Sequence, residues 1–321
     1  MKAIRVNQFG GPEVMVMEEI EVPAPSETQI LIDVKAVGIN PVETYIRAGT
    51  YPLLPELSFT PGKNAAGIVT EIGSAVTQFK PLDRVYCSAS VSGTYAEMVL
   101  CNEQQVHSLP DKVSFEAGAA VGVPAATAWR ALVIRGRALR GESVFIHGAS
   151  GSVGLGAIQI AKSLELTVYG SAGSEAGLQL IKDTGADFVF NHKSETYIDE
   201  IKKQTDGKGI NLILENLANV NLAADLDLLA PKGRVVIIGS RGTIEIDPRA
   251  TMGKETDIRG LAVFSGSPEE TADTHKNLKK LLAQGVLNPV ISRTLSLSDA
   301  VQAHEMVMQD GNCGKIILTV P

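Results

Sequence analysis

The chain has 321 residues, 44% hydrophobic and 20% charged, with a formal net charge of −7 at pH 7. Its length exceeds what one hydrophobic core usually serves, so two domains are expected; its acidity argues against nucleic acid as a partner, which clustered Lys and Arg would attract. Three scattered cysteines (Cys87, Cys101 and Cys313) exclude a disulfide framework and a zinc ribbon, and nowhere do about 18 apolar residues run together to cross a bilayer. In chain order, the opening MKAIRVNQFG lacks an apolar leader, so a reducing compartment, the cytosol, is expected. The first third then reads as short strands and turns. Ile30, Ile32, Val34 and Ala36 recur at every second position, the period of a half-buried strand, and further strands are expected at 67–72, 84–87 and 95–100. Gly10-Gly11-Pro12, Pro23-Ala24-Pro25 and Pro61-Gly62 mark loops.

Near Val123 the texture changes. Strands at 143–147, 167–171, 188–191, 212–215 and 234–238 alternate with helices at 153–164, 175–184, 197–205 and 221–229, and a strand over 258–264 follows. Apolar runs such as VVIIG suit a sheet covered on both faces. The alternation predicts an α/β domain with a parallel, doubly wound sheet. A helix over 268–284 comes next, with Pro268 in its first turn. A helix capped by Ser298 and a strand over 315–320 then return the chain to its first domain. The expected division is 1–123 plus 265–321 against 124–264.

The sharpest motif is Ala149-x-Gly151-x-x-Gly154, set between a strand and a helix. It is the dinucleotide-binding turn with Ala in the first glycine position. Ala149 permits the tight turn, Gly151 lets backbone approach a pyrophosphate, and Gly154 lets the helix lie close on its strand. The helix start then offers free N–H groups to the phosphates. At the tip of the next strand the chain reads Gly170-Ser171-Ala172-Gly173-Ser174. An NAD site usually keeps a carboxylate there for the ribose 2′-hydroxyl; without one there is room for a 2′-phosphate, so NADP(H) is the expected cofactor. Glu175 reads as a first-turn helix residue favoured by the dipole.

Several longer segments accompany that turn in one order: FGGPEV at Phe9, GINPVETYIRAGTY at Gly38, FTPGKNAAGIV at Phe59, GTYAEM at Gly93, GAAVGVPAATAWRAL at Gly118, HGASGSVG at His147, ENLANVNL at Glu215 and VVIIGSRGTIEIDPR at Val235. Over nearly the whole chain they resemble the zeta-crystallin and quinone oxidoreductase branch of the medium-chain dehydrogenase/reductase superfamily. The resemblance implies a GroES-like, mostly β catalytic domain into which a Rossmann domain is inserted, with the active site in the cleft between them. It also implies quinone reduction by NADPH, and assembly as a homodimer or homotetramer with a dimer edge near 257–264.

Zinc-dependent alcohol dehydrogenases of the same superfamily would place one ligand in the loop after Gly38 and others after Gly62. Asn40 and Lys63-Asn64 stand there. An amide replaces a thiolate poorly and a lysine repels a cation, so a zinc-free site is expected. Lys63 and Asn64 also depart from the branch's usual small and acidic pair; Lys63 either favours an anionic substrate or pairs with an acid or faces solvent.

With no metal to polarise a carbonyl, the fitting acceptor is already electron-poor: a quinone or, alternatively, an α,β-unsaturated carbonyl. Carried over residue by residue, the resemblance puts Asn40 and Tyr45 beside the nicotinamide. Asn40 would bond a substrate oxygen, and Tyr45 would touch the cofactor or give up a proton. Ser150, Gly151, Ser152 and Val153 would meet the pyrophosphate, and Gly173, Ser174 and His192 the 2′-phosphate. Asn221 would reach a ribose or phosphate. Ile238, Gly239, Ser240 and Arg241 follow a strand at the sheet's carboxyl edge, Arg241 pairing with a cofactor phosphate or with Glu245. Leu261, Ala262 and Val263 would meet the carboxamide through backbone groups, and Thr127 faces the cofactor or bonds its own helix. The reading from another class is a zeta-crystallin-like structural or RNA-binding protein.

Overall fold

A computed structural model describes residues 1–321 and divides them into two units, one of Met1–Val123 with His275–Gly285 and Pro289–Pro321, the other of Pro124–Thr274 with Val286–Asn288. The first is mostly β. A short antiparallel pair joins β1 (Lys2–Val6) to β2 (Met15–Glu19). The long β3 (Gln29–Gly38) is the spine of a seven-stranded sheet. On one side of it run β4 (Asn64–Ile72), β5 (Arg84–Cys87) and β7 (Val106–Ser108), with β6 (Met98–Asn102) also pairing β3. On the other side run β15 (Lys315–Thr319) and β14 (Ile291–Ser296), so the last strand of the chain sits directly beside β3. Ile30, Ile32, Val34 and Ala36 are buried as their spacing predicts. Leu31 and Val37 are buried too, so β3 is covered on both faces rather than one.

The second unit carries six parallel strands in the order β10-β9-β8-β11-β12-β13. These are β8 (Ser143–Ile146), β9 (Thr167–Ala172), β10 (Phe188–Asn191), β11 (Ile210–Glu215), β12 (Leu229–Ile237) and β13 (Asp257–Gly260). The connecting helices are α4 (Ser152–Ser163), α5 (Glu175–Asp183), α6 (Tyr197–Gln204) and α7 (Ala218–Leu228). This is the doubly wound α/β sheet that the alternating pattern predicts. Val144, Phe145, Ile146, Leu212, Ile213, Leu214, Val235 and Val236 are fully buried, as strands covered on both faces require. The strand order reverses between β8 and β11, and ligands of such sheets bind beyond the carboxyl ends at that point.

Several expectations are corrected. The strand over 258–264 stops at Gly260, and Val263–Ser265 forms a 3-10 turn. The cause is Arg130, whose Nη1 donates to the carbonyls of Ala262 at 2.8 Å and Val263 at 2.7 Å and so turns them out of a strand ladder. The helix near the C-terminus is not capped by Ser298. Ser296 and Asp299 close a box around Leu297–Asp299 (Ser296 N–H to Asp299 Oδ2, 3.0 Å), and the helix proper, α10, is Ala300–Val307. Sequence periodicity also passes over α1 (Pro41–Arg47), α2 (Phe115–Ala119) and α3 (Gly122–Trp129), whose lengths give little period to read. The short α8 (Arg249–Met252) and the long α9 (Pro268–Ala283) complete the helices, and the unit boundary at Thr274 falls inside α9 rather than at 264. No helix is long and apolar enough to cross a membrane.

The α4–β8 junction depends on one glycine. A Cβ on Gly154 would lie 2.5 Å from both the Cα and the carbonyl oxygen of Ala149, whereas one on the exposed Gly253 would meet nothing within 4 Å. Gly154→Ala is therefore expected to cost about 1–3 kcal/mol through overpacking, and Gly253→Ala less than about 0.5 kcal/mol. Denaturant melts of the two variants check this; equal midpoints reject the close approach.

Candidate functional site

In the α/β unit, β8 runs through His147 into the turn that holds the motif. Gly148 takes φ 56°, a left-handed value, with open space where its Cβ would be. Ala149 is fully buried and donates its N–H to the Ser171 carbonyl at 2.7 Å, which ties the turn to β9. Gly151 then caps α4 without a side chain, and the first intrahelical bond is Leu155 N–H to the Gly151 carbonyl at 2.9 Å. The N–H groups of Ser152, Val153 and Gly154 consequently have no partner inside the helix. Three open donors at the positive end of a helix dipole, with no side chain over Gly151, fit a diphosphate.

At the tip of β9, a Cβ on Gly173 would come within 2.6 Å of His192 Nε2 and 3.1 Å of Lys193 Cε. Gly173, His192 and Lys193 therefore share one exposed corner, and no carboxylate stands at the strand tip. Ser174 is the N-cap of α5, its hydroxyl accepting from Gly177 N–H at 3.2 Å. Lys193 is a cation that sequence reasoning passed over, although its place next to His192 was the available signal.

The remaining expected cofactor residues are held as follows. Asn221, on α7, donates Nδ2 to Glu215 Oε1 at 3.2 Å. Ile238 and Gly239 follow β12 and donate N–H to the Glu215 carbonyl at 2.8 and 3.2 Å. Ser240 and Arg241 are exposed, with the Arg241 N–H bound to Asn219 Oδ1 at 2.8 Å. Leu261 donates N–H to the Ile237 carbonyl at 2.9 Å, while Ala262 and Val263 give their carbonyls to Arg130. Thr127 is buried within α3.

In the β unit, α1 carries the other two expected residues. Asn40 is 3% exposed and caps α1 reciprocally with Glu43, its own N–H going to Oε2 at 2.8 Å and its Nδ2 to Oε1 at 2.9 Å. The Asn40 side-chain oxygen accepts from Lys315 Nζ at 2.6 Å, and Nδ2 also reaches the Gly38 carbonyl at 3.3 Å. All of the amide's groups are thus spent within the protein. Glu43 accepts in addition from Lys63 N–H at 3.0 Å and from Tyr95 Oη at 2.7 Å. Tyr95 Oη lies 2.9 Å from His304 Nε2, whose Nδ1 lies 3.2 Å from Arg47 Nη1. Burial brings the Lys315 ammonium down to about 8 against the pull of Glu43, and burial with Arg47 holds His304 down to about 3. Burial, then Glu43, raises Tyr95. Tyr45 lies half-buried on α1, and its hydroxyl takes no partner in the chain. Lys315 and Glu43 were missed from sequence, Lys315 because it opens a strand and Glu43 because its N-cap box was not recognised.

Two family profiles match the chain, an "Alcohol dehydrogenase GroES-like domain" over residues 26–111 and a "Zinc-binding dehydrogenase" over 152–283. The quinone oxidoreductase of Rattus norvegicus is 49% identical over 320 residues, covering 99% of this chain and 97% of the relative. That of Homo sapiens is 48% identical over the same shares. Among solved structures, Escherichia coli quinone oxidoreductase complexed with NADPH aligns with a TM-score of 0.91 at 29% identity, covering 100% of both chains. The chain belongs to the quinone oxidoreductase branch of the medium-chain dehydrogenase/reductase superfamily. The expected combination of a GroES-like domain and a Rossmann sheet is accordingly the fold present.

One buried cluster behind the phosphate turn has no counterpart among the expected residues. His147 Nε2 lies 2.7 Å from Asp225 Oδ1 and 3.2 Å from Glu215 Oε2, and all three side chains are buried. The carboxyls sit at the end of β11 and on α7, so only the parallel strand order brings them to His147. Burial pushes both Glu215 and Asp225 up to about 7 and lowers His147. Two carboxyls this close favour sharing a proton over carrying two charges. The His147 carbonyl accepts from Asn216 Nδ2 at 2.7 Å, which fixes the residue that leads into the turn.

A carboxyl whose folded pKa exceeds its unfolded value of about 4 contributes stability that is full below that value and is lost as pH rises towards about 7. Wild type should therefore lose stability relative to Glu215→Gln as pH rises from about 4 through about 7. Thermal melts of both proteins across that range check this; a difference in Tm that does not move with pH rejects the shared proton.

Proposed function

We propose that the chain is an NADPH-dependent, zinc-free quinone oxidoreductase. The observation that carries this reading is the uncapped first turn of α4 beside a β9 tip that holds Gly173, His192 and Lys193 in place of a carboxylate. In this reading Ser150, Gly151, Ser152 and Val153 hold the diphosphate. The corner of Gly173 and His192, completed by Lys193 and the Ser174 backbone, holds the 2′-phosphate. Thr127, Asn221 and residues 238–241 and 261–263 line the rest of the cofactor. The exposed Arg241 lacks a carboxylate partner in the chain, Glu245 included, which favours a phosphate for it. NADPH, when bound, would supply the reducing equivalents. The names of the rat, human and Escherichia coli relatives support quinones as acceptors.

The donor set does not fit zinc, whatever the second profile is called. At the position expected for the first ligand, the Asn40 oxygen already accepts from an ammonium, and Lys63 stands at the second. Two lysines and an amide repel a dication rather than chelate it. The acceptor must then be electrophilic in itself, and the residues need only orient it and exclude water. In this reading the Tyr45 hydroxyl, which has no partner in the chain, donates a hydrogen bond to the acceptor. Asn40 acts as a positioning residue, linking Lys315 to the start of the helix that carries Tyr45.

Two further assignments accompany this reading. A second copy of the chain pairs at the open edge of β13, where Ile258 is exposed and the exposed Phe264 of the following 3-10 turn lies close in sequence, to give a homodimer or, by further pairing, a homotetramer. The three cysteines are free thiols, two of them buried, which suits the reducing cytosol.

Ser174→Asp retains an α5 cap, since Asp caps as well as Ser, but sets a carboxylate where the 2′-phosphate would lie. The KM for NADPH should rise about tenfold or more, equivalent to ~1.4 kcal/mol, with that for NADH little changed. Lys193→Gln should weaken NADPH alone. Steady-state turnover of a naphthoquinone with each coenzyme measures both; equal effects on the two coenzymes overturn the 2′-phosphate corner, and no turnover with either overturns the enzyme.

A further inference from the structure

A cavity of about 550 Å³ lies wholly within the β unit. Its lining includes the apolar Ile46, Leu53, Leu54, Phe59 and Val91, together with the cations Arg5 and Lys63. Arg5 is held by neutral acceptors that also line the cavity, Nη2 by the Ser58 carbonyl at 2.9 Å and Nη1 by Thr60 Oγ1 at 3.3 Å. Neither Arg5 nor Lys63 forms an ion pair within the chain. Two acids share the lining, and neither offsets these cations. Glu43 is 2% exposed and already accepts from Asn40 N–H, Asn40 Nδ2, Lys63 N–H and Tyr95 Oη. Glu21 is exposed, where water and salt screen it. A half-buried positive charge on an apolar wall attracts a ligand that is flat and greasy at one end and anionic at the other.

We propose that this cavity is a subsite for the anionic substituent of an aromatic acceptor, so that the chain prefers quinones bearing a sulfonate or carboxylate. The proposal rests on the quinone oxidoreductase reading. The lining includes Glu43, the carboxylate that caps Asn40 and accepts from the Lys63 backbone, and Ile46 of the same helix α1. Arg5 and Lys63 contact the anion, while the leucines and Phe59 cover the ring.

The test compares a neutral naphthoquinone with a naphthoquinone sulfonate as acceptors for wild type, Arg5→Gln, Lys63→Gln and the double variant, at low and high salt. Because the sulfonate also alters the intrinsic reactivity of the ring, the readout is the KM of each acceptor in each variant relative to wild type. Each single variant should raise the KM of the sulfonate about fivefold, as loss of one partly screened charge contact does, and leave that of the neutral quinone unchanged. Salt should weaken only the sulfonate, and Arg5→Lys should restore it. Parallel changes for both acceptors, or none for the sulfonate, overturn the subsite. If wild type reduces neither acceptor, the quinone reading itself fails. Calorimetric titration with naphthalene sulfonate then decides the cavity separately: binding that the double variant loses supports the site, and equal or absent binding overturns it.

Discussion

Three backbone N–H groups at the start of α4 point away from the helix with nothing in the chain to accept them, and most of the cofactor site follows from that. Such donors are costly to leave bare unless solvent or an anion takes them. Elsewhere the protein supplies a hydroxyl for the same purpose: Ser114 accepts from Ala117 N–H at the start of α2, and Ser174 from Gly177 N–H at the start of α5. At α4 the cap is Gly151, which has nothing to offer. The rest of the turn keeps those donors aimed. Gly148 takes the left-handed φ that reverses the chain, Ala149 is tied to Ser171, and Gly154 lets α4 lie against Ala149.

Both units anchor their functional loops with buried charge. Asn40, Glu43 and Lys315 form one such anchor, in which a carboxylate and an ammonium are both below 3% exposure and an amide bridges them. Buried ions are weak contributors to net stability, because desolvation offsets most of their attraction. What they supply here is geometry. Removing one member would strand the other in an apolar setting, so the start of α1 has a single low-energy arrangement. The His147, Glu215 and Asp225 cluster does the same beneath the phosphate turn with three titratable groups, and the depressed histidine and raised carboxyls show how far burial disfavours their charged forms.

What could be read from sequence was what is local. Apolar runs such as VVIIG and the alternation of helical and extended periods are set by neighbours in the chain, and they gave the parallel sheet. The turn motif was legible because its demands are local: Gly148 takes a left-handed φ and Gly154 lies against Ala149. The misses share a different cause. The strand over 258–264 is bent by Arg130, a residue 132 positions away. Lys315 opens a closing strand and reads as ordinary until β15 pairs with β3 beside Gly38. His147, Glu215 and Asp225 lie on three elements that meet only through the sheet order. The Asn40 box is local and still escapes a reading that takes Asn40 as the replacement for a zinc ligand rather than as the start of a helix closed by Glu43. The hydrogen bond from Lys315 to Asn40 could not be read from sequence, since the two are 275 residues apart.

In the zinc-free reading, the exchange of metal ligands for an amide and lysines has a consequence for what the protein can select. A metal binds and activates a carbonyl oxygen in one act, so it fixes the reacting end of a substrate strongly. An ammonium already committed to Asn40 does neither. Recognition must then come from surfaces away from the reacting atoms, where binding energy can still orient the acceptor. The apolar wall with Arg5 and Lys63 combines area with charge that no ion pair in the chain takes up, and in the zinc-free reading Lys63 stands where a related zinc enzyme would spend a ligand. On that reading, the residue change that removes the metal also supplies one of the charges proposed to replace it in selecting substrate.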